Sequence, residues 1–270
     1  DIIKKHAVDG YLYGRVGEDH FVVIADEDTF NEEYLYECRE TLQNVLSDSV
    51  YNVRVCFGIY RTDNMNESLS FMCDKASFAV ASIKDDTHSF IAYYDDTMLE
   101  AAIKYKTIVD EFDDAIKAGE FKMYLQPQIS AKTRRLTGAE ALVRRIKPDG
   151  TIISPIDFIP VYEKSGLISR LDRYIWEQAA AKLGEWKKAG INMSISVNIS
   201  PKDFYYIDIF NTFAGLIKKY DIEPSNLKIE ITETTIMSDV PNLMGELEEL
   251  RKAGFTLEMD DFGSGYSSLN

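Results

Sequence analysis

From residue 120 onward, short apolar segments alternate with amphipathic ones, and this alternation restricts the fold more than any other feature of the sequence. Segments such as "SISVNIS" (194–200) and "LKIEIT" (227–232) are rich in β-branched residues and too short for typical helices. The segments between them repeat apolar residues at helical spacing, and the joints are short. The pattern predicts an α/β fold with a parallel sheet covered by helices on both faces.

The first hundred residues show a different order of elements. Residues 10–26, "GYLYGRVGEDHFVVIAD", predict a hairpin, and residues 30–47 repeat apolar side chains at helical spacing. Residues 96–118 predict an amphipathic helix that ends at Gly119. We therefore predict three segments: a first unit over residues 1–97, a helical linker over residues 98–118 and a second unit over residues 119–270.

Composition excludes several classes of protein. The net charge is −15, most of it in the first hundred residues, which argues against nucleic-acid binding. No apolar run approaches the roughly 20 residues of a membrane span, so we expect no membrane contact by this segment. The three cysteines are scattered, which favours reduced thiols and a cytoplasmic location. The N-terminus has no initiator Met or signal peptide and predicts a chain cut from a longer protein, which could be tethered to a membrane through preceding segments.

Oxygen-donor side chains follow successive predicted strands: Glu140, Asn198, Glu230, Asp260 and Asp261. The carboxyl ends of parallel strands meet at one edge of a sheet, where sites are built. All histidines and cysteines lie before residue 100, so the second unit offers no imidazole or thiolate. Oxygen ligands alone favour Mg²⁺ or Mn²⁺ over zinc. Two adjacent aspartates on a bend can hold two ions about 4 Å apart.

Simpler interpretations of the same residues stay open. A single glutamate at a strand end is more often solvated or caps a helix, and Asn198 could cap a short helix with Ser200. Glu140 and Glu230 could also be the acid pair of a barrel glycosidase. A glycosidase would not require the Asp260–Asp261 pair, and it would be indifferent to a chelator.

Six motifs resemble those of one family in their order and spacing: "GAEALVRR", "SPIDFIP", "YEKSGLI", "SVNIS", "IEITET" and "MDDFGSGYSSL". They are similar to EAL domains, the cyclic di-GMP phosphodiesterases, over about residues 118–270. The resemblance implies a TIM-type barrel whose first strand runs antiparallel. It also implies hydrolysis of cyclic di-GMP to linear pGpG with two Mg²⁺ or Mn²⁺ ions, and a homodimer formed through the EAL domain.

The resemblance also implies roles for individual residues. The metal ligands would be Glu140, Asn198, Glu230, Asp260 and Asp261, with Asp261 shared between the ions. Glu233 would steady the loop that follows the aspartate pair, Arg144 would contact a substrate phosphate, and Gln126 would line the guanine side of the pocket. Arg145 departs from the family, which usually has Trp there.

The first unit resembles the C-terminal half of a GGDEF domain, the fold of diguanylate cyclases. "RVGEDHF" (15–21) falls where that family has its signature hairpin, but Glu18 replaces a glycine and His20 replaces a glutamate. An inhibitory motif upstream would fall at residues 8–11, where neither of its charges is present. We predict a degenerate domain that synthesises no cyclic di-GMP; a hairpin without function is the alternative.

Two further expectations follow from the family resemblance. The family's later catalytic lysine and metal-binding glutamate would come after Asn270, so the barrel is expected to be partial and the isolated chain to hydrolyse cyclic di-GMP weakly or not at all. The alternative function is a catalytically inactive receptor module that binds cyclic di-GMP. Such receptors typically lack several ligands, whereas all those in view are present here.

Overall fold

A computed structural model of the chain describes residues 11–17, 19–46, 54–62, 64, 66–84, 86, 88–238 and 240–260. The chain divides into two compact units, Asp1–Tyr105 and Lys106–Asn270. The division falls inside the predicted helical linker, and the domain limits drawn from the sequence stay a prediction. No helix in the described part of the chain is both long and apolar enough to span a membrane.

The strands within the described ranges are β1 (Leu12–Arg15), β2 (Phe21–Ile24), β3 (Phe57–Ile59), β4 (Ile91–Tyr93), β5 (Phe121–Ile129), β6 (Leu136–Ile146), β7 (Ile152–Ile153), β8 (Ser194–Ile199), β9 (Leu227–Thr232) and β10 (Leu257–Asp260). The α-helices are α1 (Glu33–Leu46), α2 (Leu69–Ser82), α3 (Asp96–Asp110), α4 (Phe112–Ala118), α5 (Pro155–Ser165), α6 (Ile168–Lys188), α7 (Asp203–Tyr206), α8 (Ile209–Tyr220), α9 (Glu233–Met237) and α10 (Leu243–Lys252). Single 3₁₀ turns lie at Glu27–Thr29 and Pro224–Asn226.

The described part of the first unit contains two small sheets. β1 and β2 pair antiparallel, with Leu12 opposite Ile24, which confirms the predicted hairpin. β3 and β4 pair in parallel. Ser68 begins α2 by accepting a hydrogen bond from the Phe71 N–H, as an N-cap serine does. Among the described residues of this unit, Ala79, Ile83 and Ala92 form a buried apolar cluster.

Residues 96–118 form two helices, α3 and α4, where the sequence predicted one. Gly119 follows α4 with a φ of 67°, the left-handed conformation that glycine adopts without strain, so the predicted stop is confirmed. Ile108, Phe112 and Ala115 from these helices are buried in the core of the second unit. The second half of the stretch therefore contributes to a folded core.

The second unit is built on a mixed sheet with the strand order β10-β9-β8-β6-β5, and β7 pairs beside β6. β6, β8, β9 and β10 are parallel. β5 runs antiparallel to β6 because the turn at residues 130–135 is too short for a parallel crossover. The expectation of an all-parallel sheet was wrong for β5, whereas the antiparallel first strand implied by the family resemblance is confirmed.

The two faces of this sheet differ in chemistry because side chains alternate along a strand. Odd-numbered strand residues join the apolar core with the helices: Phe121, Ala141, Ile195, Val197, Ile199, Leu227, Ile229 and Ile231. Even-numbered positions carry polar side chains: Gln126, Gln128, Glu140, Arg144, Ser196, Asn198, Lys228, Glu230, Glu258 and Asp260. The prediction of helices on both faces was wrong for the described residues, whose apolar core takes no strand residue from the even-numbered face.

Helix α6 supports the middle of the sheet. Its Trp176 is almost fully buried, lies 4.8 Å from the Phe213 ring between centroids, and donates from Nε1 to the backbone oxygen of Asn198 at 3.0 Å. A buried aromatic of this size stabilises the fold by roughly 2–3 kcal/mol. The contact fixes the end of β8, the strand that carries Asn198 to the polar face.

Candidate metal centre

The strand register brings the predicted ligands of the second unit to one face of the sheet. Glu140 is opposite Ser196, and Asn198 is opposite Glu230. Paired residues of neighbouring parallel strands point to the same face, as do residues two apart in one strand. Asp260 points to this face as well, because Glu258 of β10 is opposite Glu230 and Asp260 lies two residues after Glu258. All four described ligand candidates therefore share the polar face.

Glu140 does not lie at a strand end, as the sequence predicted, but in the middle of β6. The reason is that β6 pairs with β5 over most of its length, whereas it pairs with β8 only over Gly138–Glu140. Glu140 thus ends the parallel segment of its strand. This position still brings its carboxylate to the edge where β8 and β9 end.

Glu140, Glu230 and Asp260 form a cluster of carboxylates. One oxygen from each lies within 4.8 Å of the others. Glu230 is only 7% exposed, Glu140 is half-buried and Asp260 is exposed. Burial, with the charges of Glu140 and Asp260, raises the pKa of the Glu230 carboxyl, and the Ser196 hydroxyl partly opposes this shift. The crowding of like charges makes this the natural position for a cation.

Asn198 contacts the cluster through its amide nitrogen. Nδ2 donates to Glu140 Oε1 at 3.1 Å, and the backbone oxygen of Asn198 accepts from Trp176. The side chain is therefore held against Glu140, while the predicted use of its oxygen as a ligand stays a prediction. Asp261, the other half of the predicted aspartate pair, lies outside the described residues.

The remaining predicted residues surround the cluster without joining it. Gln126 is exposed on β5, opposite Glu140. Arg144 is half-buried on the same face, about 13 Å further along β6, and its Nη1 donates to the Val143 oxygen at 2.7 Å. Glu233 is buried at the first position of α9, directly after β9. Their predicted roles are not tested by these positions.

Four polar residues of the same face were missed by the sequence reasoning. Gln128 donates from Nε2 to Ser196 Oγ at 3.0 Å and to Glu230 Oε1 at 3.2 Å. Lys228 Nζ pairs with Glu258 Oε1 at 2.6 Å on the neighbouring strand. The signal that could have found them is the run of polar residues at alternate, even-numbered positions of the strands.

The residues present fit a divalent cation. The donors are carboxylate oxygens, which Mg²⁺ and Mn²⁺ prefer. Glu230 Oε2 is buried and accepts no hydrogen bond from the described residues. A buried carboxylate oxygen without a donor is costly, and a bound cation would satisfy it. The identity of the metal stays a prediction.

Arg145 lies on the opposite, helix-covered face. It is 3% exposed, and its guanidinium binds Glu120 at 2.9 Å and Glu111 at 2.6 Å. The hydrogen bond from Arg145, together with the charges of Arg145 and Lys147, holds the pKa of the Glu111 carboxyl below its usual range. The departure from the family pattern therefore enters a buried ionic cluster, away from the carboxylates on the polar face.

The hairpin of the first unit shows little that could bind a ligand in its described part. Asp19 and His20 are exposed, and His20 Nδ1 lies 2.7 Å from Asp19 Oδ1. Glu18 and residues 8–10 lie outside the described residues. The predicted degenerate signature and the missing inhibitory motif therefore stay predictions.

Comparison with known proteins identifies the second unit. The family model described as EAL domain matches residues 109–270. The chain belongs to the EAL domain family. The bifunctional diguanylate cyclase/cyclic di-GMP phosphodiesterase MucR of Pseudomonas aeruginosa is 26% identical over 262 residues, covering 94% of this chain and 38% of that protein.

Two other similarities within this family are informative. A cyclic di-GMP phosphodiesterase of Pseudomonas aeruginosa is 32% identical over 178 residues, which cover 66% of this chain and 30% of that protein. A solved structure of the MucR phosphodiesterase in complex with cyclic di-GMP is 30% identical, with a TM-score of 0.56, covering 60% of this chain and 66% of that one. The chain spans about a third of the length of the curated relatives it matches.

Proposed function

We propose that the second unit is a cyclic di-GMP phosphodiesterase that hydrolyses its substrate to linear pGpG with two Mg²⁺ or Mn²⁺ ions. The observation that carries the proposal is the convergence of Glu140, Glu230 and Asp260 within 4.8 Å on the polar face of the sheet. EAL relatives named as cyclic di-GMP phosphodiesterases support the substrate.

We also propose that the sheet belongs to a partial TIM-type barrel. Gln128 on β5 reaches Glu230 on β9, although β6 and β8 lie between them. Three strand spacings measure about 14 Å in a flat sheet. A contact of 3.2 Å across that interval supports a sheet that curves toward its polar face, as the wall of a barrel does.

In this proposal Glu140, Glu230 and Asp260 hold the cations together with Asn198 and Asp261. Divalent ions held by these residues would supply Lewis-acid activation of the phosphate and of the attacking water. Glu230 contributes a buried carboxylate whose Oε2 accepts no hydrogen bond from the described residues. Asn198 holds Glu140 in place through its amide nitrogen.

The substrate would lie along the polar face beside the carboxylates. The guanidinium of Arg144 suits a phosphate, because its N–H groups match two phosphate oxygens. The amide of Gln126, exposed opposite Glu140, offers a donor and an acceptor to a guanine edge. Glu233 would steady the segment that follows Asp260.

The first unit is proposed to be the C-terminal half of a degenerate GGDEF domain. Support comes from MucR, whose match covers 94% of this chain and therefore extends into the first unit. Glu18 would place an anion where the family's backbone approaches a triphosphate, which opposes synthesis of cyclic di-GMP. The proposal includes a cytoplasmic location, where this second messenger acts, and a homodimer formed through the EAL domain.

The test of the phosphodiesterase is hydrolysis of cyclic di-GMP by the 270-residue chain, which the family resemblance predicts to be weak. It is therefore measured at high protein concentration, by chromatography of pGpG. We expect EDTA to abolish turnover and Mg²⁺ or Mn²⁺ to restore it. Glu140→Gln should lower kcat more than about 100-fold, beyond the loss typical when only a group behind a ligand is changed. Glu249→Gln, an exposed position of α10, is the matched control and should retain wild-type activity.

Two results would argue against hydrolysis as the function. Turnover that survives EDTA would indicate acid–base chemistry without a metal. Binding of cyclic di-GMP that is unaffected by Mg²⁺, Mn²⁺ or EDTA would favour the receptor function.

A further inference from the structure

Gln128 connects two strands at the centre of the polar face. Its Nε2 lies 3.0 Å from Ser196 Oγ and 3.2 Å from Glu230 Oε1, so one amide group donates to both. Ser196 is fully buried, Glu230 is 7% exposed and Gln128 is half-buried. Water competes little for hydrogen bonds at this depth, so the arrangement is held firmly.

The route of the Gln128 side chain depends on Gly138. Gln128 on β5 is opposite Gly138 on β6, and Gly138 is in turn opposite Ser194 on β8. A Cβ atom at Gly138 would lie 2.4 Å from Ser194 Oγ, so any other residue there would force the two strands to shift. Because β6 offers no side chain at that level, the amide of Gln128 can extend across it toward β8 and β9.

The hydrogen bond from Gln128 reaches only one of the two carboxylate oxygens of Glu230. Oε1 accepts from Gln128, whereas Oε2 is buried and accepts from no described residue. The Ser196 oxygen accepts from Gln128, so the Ser196 hydroxyl hydrogen is available to the Glu230 carboxylate. Both contacts restrict the rotation of the carboxylate and leave one oxygen for coordination.

We propose that Gln128 is a positioning residue that orients Glu230 as a cation ligand, an inference that rests on the proposed phosphodiesterase function. Gln128 itself touches neither the cation nor the reacting phosphate. Groups that hydrogen-bond a ligating carboxylate fix its geometry and its basicity, and their loss weakens metal binding. Ser196 completes the arrangement by holding the amide of Gln128 in one orientation.

The test replaces Gln128 by methionine, which has a similar length and shape but cannot donate a hydrogen bond. Mn²⁺ binding to the 270-residue chain is followed by electron paramagnetic resonance. We expect Gln128→Met to raise the Mn²⁺ dissociation constant about 10–100-fold. Gln43→Met, at an exposed position of α1, is the matched control and should bind Mn²⁺ as the wild type does.

Kinetics separate positioning from substrate binding. Gln128→Met should lower kcat at a fixed Mn²⁺ concentration and leave the KM for cyclic di-GMP within about twofold, because Gln128 does not contact the substrate. Ser196→Ala should change Mn²⁺ affinity in the same direction and by less, since Glu230 keeps the bond from Gln128. This second variant preserves the test if Gln128→Met fails to fold.

The outcomes distinguish this inference from the proposed function. Wild-type Mn²⁺ affinity in Gln128→Met would overturn the positioning role. If that variant also loses stability, the result would mean that Gln128 only joins the strands. A wild-type chain that binds no Mn²⁺, or a Glu230→Gln chain that binds it normally, would instead overturn the proposed metal site.

Discussion

At the residue scale, Arg145 illustrates how a buried charge depends on its partners. Its guanidinium binds Glu120 and Glu111, and the Glu120 side chain is only 13% exposed. Arg145→Met would leave a buried carboxylate without its cation, and we expect a loss of about 3 kcal/mol in the free energy of unfolding. Urea denaturation followed by tryptophan fluorescence measures this, since both tryptophans, Trp176 and Trp186, lie in the second unit.

The control for Arg145 is a similar pair at the surface. Arg170 pairs with Asp113, and both side chains are more than half exposed, so Arg170→Met should cost less than about 1 kcal/mol. The pKa of Glu111 is lowered in the folded state, so its contribution is present above its ordinary value of 4.5 and is lost as the pH falls. As the pH falls below 4.5, the free energy of unfolding should therefore decrease less steeply for Arg145→Met than for the wild type, because the variant has already lost this contribution. Equal losses in the two variants would contradict the buried pair.

The charged candidates for the site were the easiest residues to find in the sequence. Glu140, Glu230 and Asp260 stand out because acidic residues are rare in apolar strands, and the structure brings them together. Gln128 and Ser196 have no charge, and neutral polar residues occur in many strands without function. Their contacts with Glu230 depend on the pairing of strands that are distant in the sequence, which no local pattern encodes.

At the scale of one element, β6 is held close to β8 at a single glycine. A Cβ on Gly138 would lie 2.4 Å from Ser194 Oγ and 2.6 Å from the Ser194 backbone oxygen, so the strands would have to separate. The parallel pairing covers only Gly138–Glu140, and a shift there moves the Glu140 carboxylate. We expect Gly138→Ala to cost about 1–3 kcal/mol and to weaken Mn²⁺ binding, measured by urea denaturation and electron paramagnetic resonance.

Gly215 offers the opposite case in the same unit. It lies inside α8, and a Cβ there would meet nothing within 4 Å. Gly215→Ala should therefore stabilise the second unit by about 0.5–1 kcal/mol, because alanine favours the helix. If Gly138→Ala were as stable as Gly215→Ala, β6 and β8 would be shown to tolerate a wider spacing.

Element positions were predictable to the extent that they depend on local pattern. The helices over Ile168–Lys188 and Ile209–Tyr220 repeat apolar residues at helical spacing, which is the local signal for an amphipathic helix. The point at which the parallel pairing of β6 stops was not predictable, because the second half of this strand pairs with β5 and β7 rather than with β8. Pairing between distant strands decides where a strand ends, and the position of Glu140 within β6 follows from it.

At the scale of the whole second unit, strand–helix alternation indicated the α/β class but not the difference between the two faces of the sheet. The strands "SISVNIS" and "LKIEIT" contain enough apolar residues to suggest burial on both faces. Their alternate positions hold Ser196, Asn198 and Glu230, which the register aligns on one face. Polar residues in alternation were the signal for a face that holds a site rather than a layer of helices.

The proposed metal site predicts that cation binding is coupled to the stability of this unit. Three like charges within 4.8 Å repel one another in the absence of a cation, and a cation that binds only the folded unit stabilises it. We expect a gain of about 2.7 kcal/mol at a Mn²⁺ concentration of 100 times the dissociation constant. Urea denaturation with and without Mn²⁺ measures the gain, and the fluorescence of Trp176 and Trp186 reports the second unit alone.

Glu230→Gln should reduce both the repulsion in the cation-free unit and the stabilisation by Mn²⁺. Without a cation, the variant should be more stable than the wild type, because a buried charge and its repulsion from Glu140 and Asp260 are removed. With Mn²⁺ it should gain far less, because one ligand is lost. Glu249→Gln, exposed on α10, should behave like the wild type in both conditions. An equal gain from Mn²⁺ in all three chains would place the binding of the cation elsewhere in the protein.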